Sequence, residues 1–341
     1  MTANTYRAAG VDLDAASALK DRIKSVAGIT LAGRVIGRPG FFAGVYERSP
    51  KDNLLMAASA DGVGTKIAVG QAAGVYRGLG IDLVNHCVND LLTTGAKPAF
   101  FLDYMGLGHA NREDAVEIAE GMAEACEIAG CVLLGGETAV MPGLYRGDDI
   151  DVVGFIAGYV ERSQLLGSEA AQIGDVLIGV PSNSPHTNGY SLIRRIFDVD
   201  NQPDVLNESQ WRSVLGRSLG DALLEPHRSY LELLSPVLGM IRGMAHITGG
   251  GVFENIPRSL PEGFGADLDL SSWEIPPLFR LIQEQGNVDR DEMFRVFNMG
   301  LGMVLLASIE RSKEIIEKVP DSWIVGRVVE RETGLEQVAL I

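Results

Sequence analysis

No stretch of this chain is apolar for long enough to cross a membrane, and residues 1–7 hold no apolar signal core. The expectation is a soluble, cytoplasmic protein. Cysteine is scarce. Cys87, Cys126 and Cys131 are the whole complement, odd in number, in apolar surroundings and without a Cys-x-x-Cys pair, so they read as reduced core thiols rather than a disulfide framework. Positive charge is also short: 29 Lys and Arg face 45 Asp and Glu, for a net charge of -16. A general nucleic-acid binder needs a basic stripe to displace counterions, and this composition argues against one. Any phosphate ligand must therefore meet local positive charge or a metal ion.

Glycine, by contrast, is plentiful at 41 residues, above the ~7% average, and it gathers in short loops that follow apolar runs. Such placement suggests loops that touch a ligand with backbone. At 341 residues the chain should form about two domains. The run 53–58 leads into Ser59-Ala60-Asp61-Gly62-Val63-Gly64-Thr65-Lys66, which reads as a strand delivering a polyphosphate site. Its glycines would let N–H groups approach phosphate oxygens, Lys66 offers a point charge, and Asp61 suits magnesium. A turn closing a hairpin uses the same acid-glycine step. The order is not that of a Walker A loop, because the lysine is followed by Ile67.

Periodicity predicts an N-terminal helix through Ala15, Leu19, Ile23 and Val26, with Lys20, Arg22 and Lys24 on its polar sides. A second helix is expected over 80–94, where Val84, Cys87, Val88 and Leu91 share a face and Asp82, Asn85, His86 and Asn89 lie on the others. A strand at 99–105 and a helix capped by Asn111 follow. The strand 131–134 runs into Gly135-Gly136-Glu137-Thr138, read as a second glycine-acid loop, and a strand over 151–160 leads to a linker beginning near 161. In the second half, a strand at 174–180 precedes the polar loop 181–191. That loop opens a helix, where free N–H groups make either an anion site or a plain capped turn. Residues 201–217 read as a surface excursion and 221–238 as a helix after Pro226. Residues 245–255 repeat the design of strand, triple glycine and helix start. A helix at 273–286, a strand at 302–307, a helix at 311–319 and a strand at 323–329 complete an α/β (α+β) chain whose helices cover sheets.

Taken together, Asp61-Gly62-Val63-Gly64-Thr65-Lys66, Asp90-Leu91-Leu92-Thr93-Thr94-Gly95-Ala96-Lys97-Pro98 and Gly135-Gly136-Glu137-Thr138 identify a resemblance. So do Phe100-Phe101-Leu102-Asp103-Tyr104, Pro185-His186-Thr187-Asn188-Gly189-Tyr190-Ser191, His246-Ile247-Thr248-Gly249-Gly250-Gly251 and Glu254-Asn255-Ile256-Pro257. In this order, over nearly the whole chain, they resemble the aminoimidazole ribonucleotide synthetase (AIR synthase) family, the phosphoribosylformylglycinamidine cyclo-ligases. The resemblance implies an ATP- and magnesium-binding dimerisation domain over 1–165 and an AIR-synthetase-related domain over 170–341. It also implies a homodimer whose N-terminal sheets close a barrel. The implied reaction is ATP-dependent cyclisation of formylglycinamidine ribonucleotide to aminoimidazole ribonucleotide in purine biosynthesis. Phosphorylation of the formyl amide oxygen and attack by the substrate's own amidine need positioning and charge neutralisation, not an enzyme nucleophile.

Carried over by motif, Asp61 and Asp90 would hold magnesium, with Glu137 a third candidate and Asn188 a fourth. Gly62, Gly64, Thr65 and Lys66, together with Asn89, would hold ATP. Lys24 matches a family lysine near the nucleotide, or lies on a solvated helix face. His186, Thr187, Asn188 and Gly189, with Thr248, Gly249 and Gly250, would hold the substrate. Lys66, His186 and His246 are the candidate catalytic groups, the histidines for proton transfer in ring closure or as hydrogen-bonding struts. The chain departs from the family pattern in the loop 37–44, at His86, where many relatives have smaller or apolar residues, and at Met299, where cysteine is usual. A selenophosphate synthetase fits less well because residues 1–30 lack cysteine, and a thiamine-phosphate kinase is the other rival within the superfamily. A nucleotide sensor without turnover would have lost a metal acid or the loop lysine, and Asp61, Lys66, Asp90 and Glu137 are all present.

Overall fold

The structure, a computed structural model, describes residues 4–30, 33–38, 40–110, 112–332 and 336–341; the side chains of Lys24, Ala27 and Ile29 lie outside the described set. Two six-stranded sheets organise the chain. The first is built from β1 (Val35–Ile36), β2 (Gly44–Tyr46), β3 (Leu54–Gly62), β4 (Lys97–Leu107), β5 (Val132–Val140) and β6 (Ile150–Glu161), in the order β1-β2-β3-β6-β4-β5. Its helices are α1 (Leu13–Ala27), α2 (Lys66–Ala73), α3 (Arg77–Leu92) and α4 (Glu113–Ala129). Strands β4 and β5 run parallel, and a parallel pair needs a crossover, which α4 supplies. Leu83, Cys87 and Leu91 of α3 and Ile118 and Met122 of α4 share one buried cluster with Phe101 of β4 and Ile156 of β6. The opposite face of the sheet stays bare: Val132, Leu134, Val153, Phe155 and Tyr159 are all exposed. The thiols of Cys87, Cys126 and Cys131 are free and buried, as expected.

The second sheet holds β7 (Val176–Pro181), β8 (Gly243–His246), β9 (Phe264–Leu268), β10 (Leu301–Ala307), β11 (Trp323–Glu330) and β12 (Val338–Leu340), ordered β12-β9-β11-β7-β10-β8. Strand β10 is buried throughout. Its Val304 and Leu306 enter one apolar cluster and Met303 and Leu305 another, so the continuous apolar run reflects a sheet covered on both faces. Among the described residues no helix is long and apolar enough to cross a membrane.

Four expectations change. Gly135 to Thr138 lie inside β5, paired with β4, and do not form a loop. Residues 201–217 carry a 3-10 turn, Pro203–Asn207, and a helix, Ser209–Leu215, that bury Val205, Leu206 and Trp211. The helix expected over 221–238 breaks into Leu219–Leu224 and Leu231–Leu234, because side chains of the first domain take up the backbone groups between them. On α1, Leu19, Ile23 and Val26 are exposed rather than turned inward. The cap expected at Asn111 lies outside the described residues.

Glycine sets the contact between α3 and α4. A Cβ on Gly80 would lie 2.0 Å from the Ile118 carbonyl oxygen, and one on Gly121 2.0 Å from that of Arg77. No side chain escapes a backbone contact of that length, so the helices must separate. Gly121→Ala is therefore expected to lower stability by about 1–3 kcal/mol in urea denaturation; an unchanged midpoint would show that the pair is not this tightly packed.

Candidate active site between the two domains

Strand β3 ends at Gly62, the chain turns through Gly64 at φ 65°, and α2 starts at Lys66. The left-handed turn needs glycine, and while the Ile67 and Ala68 N–H groups bond back to it, those of Gly64, Thr65 and Lys66 have no partner among the described residues and are open to an anion. Across from it, the first turn of α5 (Tyr190–Phe197) approaches closely enough for Thr65 Oγ1 and Ser191 Oγ to lie 3.1 Å apart. A third loop joins them: a Cβ on Gly249 would sit 3.1 Å from Asn188 Oδ1. The structure thus brings together Asp61 to Thr65, residues 184–191 and the triple-glycine turn.

Asn255, which the sequence showed only as part of a motif and without a role, ties that turn. Its amide donates to the carbonyls of Thr248 and Gly249, each at 3.2 Å, and of Gly251 at 2.8 Å. Gly250 and Gly251 both take positive φ. A Cβ on Gly251 would meet the Phe294 carbonyl oxygen at 1.8 Å.

The two aspartates carry different partners. Asp61 is partly exposed, accepts the Gly62 N–H at 2.7 Å and lies 3.1 Å from His86 Nε2. Burial acts to raise its pKa, but the charge and hydrogen bond of His86 and the Gly62 N–H prevail and hold the carboxyl down at about 2. Burial likewise opposes a charge on His86, and Asp61, aided by Asp90, overcomes it and raises the imidazole to about 9. The other nitrogen of His86, Nδ1, reaches Thr187 Oγ1 at 2.8 Å. Asp90 is buried, with Oδ1 2.8 Å from His246 Nδ1 and Oδ2 3.3 Å from Ser59 Oγ.

A carboxylate only accepts, so the proton of His246 sits on Nδ1. Burial lowers the His246 pKa against the pull of Asp90, and the neutral ring then accepts at Nε2 from His227 Nε2, 3.1 Å away. Both nitrogens of His246 are engaged, the arrangement of a hydrogen-bonding strut, which is one of the two roles that the sequence left open. His186, at φ 60°, is fully buried and stacks on His227 with ring centroids 3.8 Å apart. Neither of its nitrogens has a partner among the described residues, and burial drives its pKa well below the usual range. Donor atoms of His186, His227 and His246 lie within 4.8 Å of one another. Parallel stacked rings do not aim their in-plane lone pairs at one point, however, so the trio is not arranged as a metal cage.

Three candidates sit elsewhere. Lys66 is fully buried: its Nζ lies 2.8 Å from Asp82 and donates to the Glu225 carbonyl at 2.9 Å, so its ammonium faces the domain contact and not the glycine loop. Burial pushes Lys66 down and Asp82 up, the latter to about 6, each against the charge of the other. Asn89 is also buried, donating to the Arg228 carbonyl at 2.8 Å and accepting from the Tyr230 N–H at 2.9 Å. Glu137 is exposed on β5. Its strand is separated from Asp61 by β4 and β6, three strand spacings or about 14 Å, so the single chain does not bring it to Asp61. The side chain of Lys24 lies outside the described residues.

Comparison with known proteins decides the family. Models of the AIR synthase related protein match at residues 42–160 for its N-terminal domain and 172–337 for its C-terminal domain. The phosphoribosylformylglycinamidine cyclo-ligase of Caldicellulosiruptor bescii is 43% identical over 338 residues, covering 97% of this chain and 98% of the relative. This chain belongs to the AIR synthase family. The fold extends further. A thiamine-monophosphate kinase from Stenotrophomonas maltophilia superposes with TM-score 0.62 at 18% identity, covering 95% of each chain. AaThiL, solved complexed with AMPPCP and TMP, superposes with TM-score 0.64 at 17% identity, covering 94% of this chain and 92% of its own.

Within this AIR synthase the buried Lys66–Asp82 pair holds the domains in contact, and removing one partner strands a charge. Lys66→Met is expected to cost about 3–5 kcal/mol in urea denaturation, whereas a loss below about 1 kcal/mol would class the pair with exposed ones. The His86 contact has a pH signature. Folding raises this pKa from 6.5 to about 9, so its contribution is complete below pH 6.5 and disappears as pH climbs through about 9. The stability gap between wild type and His86→Gln should narrow over that window. A gap that stays constant would remove the charge from the account.

Proposed function

We propose that this AIR synthase cyclises formylglycinamidine ribonucleotide to aminoimidazole ribonucleotide, consuming ATP and releasing ADP and phosphate, as a soluble cytoplasmic enzyme of purine biosynthesis. The observation that carries the reading is the full-length similarity to a named cyclo-ligase, and the meeting of three glycine-rich loops from two domains supports it. The γ-phosphoryl group passes from ATP to the formyl amide oxygen, and ADP leaves. The amidine nitrogen then forms the ring C–N bond as the C–O bond breaks, expelling phosphate and leaving one proton to be removed. Catalysis of this kind rests on alignment and charge neutralisation.

In this reading the open N–H groups of Gly64 and Thr65 receive nucleotide phosphates, and Gly62 lets them come close while its own N–H holds Asp61. Thr187, Asn188 and Gly189, with Thr248, Gly249 and Gly250, hold the ribonucleotide. Asn188 Nδ2 is buried without a partner among the described residues, which suits a ligand contact. His186 has both nitrogens uncommitted and free to meet substrate, while His246 is the more basic ring because Asp90 supports its charge against burial. Lys66 and Asn89 keep the domains in register rather than touching phosphate. Asp61 and Asp90 fit magnesium: both are carboxylates, each with spare lone pairs beside its existing contacts, which suits a hard cation better than the neighbouring imidazoles do. That ion would neutralise charge on the transferred phosphoryl group. The bare face of the first sheet, with Leu134, Phe155 and Tyr159 exposed, supports a homodimer, since a monomer seldom leaves so contiguous an apolar face in water.

The test is a coupled assay with purified protein, the ribonucleotide, ATP and magnesium, following ADP and the imidazole together. Equal formation of both is expected. ADP without the imidazole would sink the acceptor assignment. Asp90→Asn preserves the acceptor for His246 and should fold normally, yet lose magnesium-dependent turnover by about 100-fold or more; full activity at limiting magnesium would take Asp90 out of the metal site.

A further inference from the structure

A cleft of about 490 Å³ opens where α1 faces the helix start that follows the triple glycine, lined by Lys20, Arg38, Arg258 and Arg295 with Asp14 and Glu254. Four cations against two acids is unusual in a chain of net charge -16. Two of the four are already answered: Arg38 pairs with Glu169 at 3.0 Å, and Arg295 approaches Asp14 at 3.7 Å. Lys20 and Arg258 make no hydrogen bond or ion pair with any described residue. Glu254 does not fill the gap, because its carboxylate folds over Gly250, where an added Cβ would lie 2.6 Å from Oε2.

Arg258 is the better placed of the two. It is half-buried in the 3-10 turn Ile256–Ser259, and its guanidinium lies over the Phe42 ring, 5.1 Å from the centroid. The Phe42 carbonyl accepts the Ser59 hydroxyl at 3.0 Å, and Ser59 also reaches Asp90, so Phe42 and Ser59 link the stacked guanidinium to the candidate metal acids. Burial disfavours its charge, while Asp90, Glu254 and Asp61 favour it from a distance. A half-buried guanidinium held flat by an aromatic ring, with a fork of N–H donors and no acceptor, fits the two oxygens of a phosphate group.

We propose that this cleft is a phosphate subsite, in which Arg258 grips a phosphate group through two parallel N–H bonds and Lys20 adds a point charge at the rim. The inference rests on the reaction proposed above only in that both reactants carry phosphate: the nucleotide as a polyphosphate and the ribonucleotide as a monoester.

Calorimetric titration of full-length wild type, Arg258→Lys and Arg258→Met with magnesium AMPPCP and, separately, ribose 5-phosphate separates the sources. Affinity for one probe should fall about 10–100-fold in Arg258→Met, and Arg258→Lys should recover part of it because charge returns without the fork. A loss confined to AMPPCP assigns the nucleotide, and one confined to ribose 5-phosphate assigns the monoester. Unchanged affinity for both probes overturns the subsite. Should Arg258→Met fail to fold by circular dichroism, Arg258→Lys and Lys20→Met decide by the same titrations. Wild type that makes no imidazole but loses phosphate affinity on substitution would defeat the proposed reaction and leave the subsite standing. Full turnover with unchanged affinities would do the reverse.

Discussion

The arrangement of this enzyme depends on one constraint: a stretch of second-domain backbone, residues 225–230, is held by side chains of α3 instead of by its own secondary structure. Asp82 accepts the His227 N–H at 2.7 Å, Asn85 donates to the His227 carbonyl at 2.7 Å, and Asn89 takes the Arg228 carbonyl and the Tyr230 N–H. These residues recur at i, i+3 and i+7, one edge of a helix. Buried backbone groups must find partners, so the segment stays extended only while α3 is in place. Lys66 completes the contact by neutralising Asp82 and bonding Glu225. With the domains fixed in this way, the glycine turn before α2 faces the loop before α5, and the triple-glycine turn closes the third side.

That constraint also explains what the sequence showed and what it concealed. The apolar runs that became β4, β6, β7, β10 and β11 were legible because sheets covered by helices demand them, and the turns at Gly64 and Gly250 were legible as glycine clusters that follow strands. The polar edge of α3 was not. Asp82, Asn85 and Asn89 have the spacing of a solvated face, and nothing local distinguishes water from a second domain as their partner. For the same reason Lys66 read as a phosphate contact and residues 221–238 as one helix. Trp211 lay hidden in a polar stretch, since a single buried aromatic leaves no periodicity. Glu137 read as a loop acid because Gly135 and Gly136 look like a break, whereas β5 runs straight through them.

Electrostatics sorts the remaining polar groups of the site. In a chain rich in acid one cleft gathers Lys20 and Arg258, neither with an ion pair among the described residues, and the interior histidines divide by neighbour. His86, facing Asp61, holds its proton. His186 and His227, facing each other, give theirs up, and burial drives both well below the usual range. Identical side chains a few ångströms apart therefore have opposite charge states, set by which element each projects from.

His86 spans the domain boundary, with one nitrogen on Asp61 in the first domain and the other on Thr187 in the second. Its two bonds form a linkage. A cation arriving at Asp61 would compete with His86 for the carboxylate and loosen its grip on Thr187, and a ligand that draws Thr187 away would in turn loosen His86 on Asp61 and ease entry of the cation. By thermodynamic reciprocity each event alters the affinity of the other by the same factor. Cation occupancy and the posture of the second-domain loop are in this way read through a single imidazole.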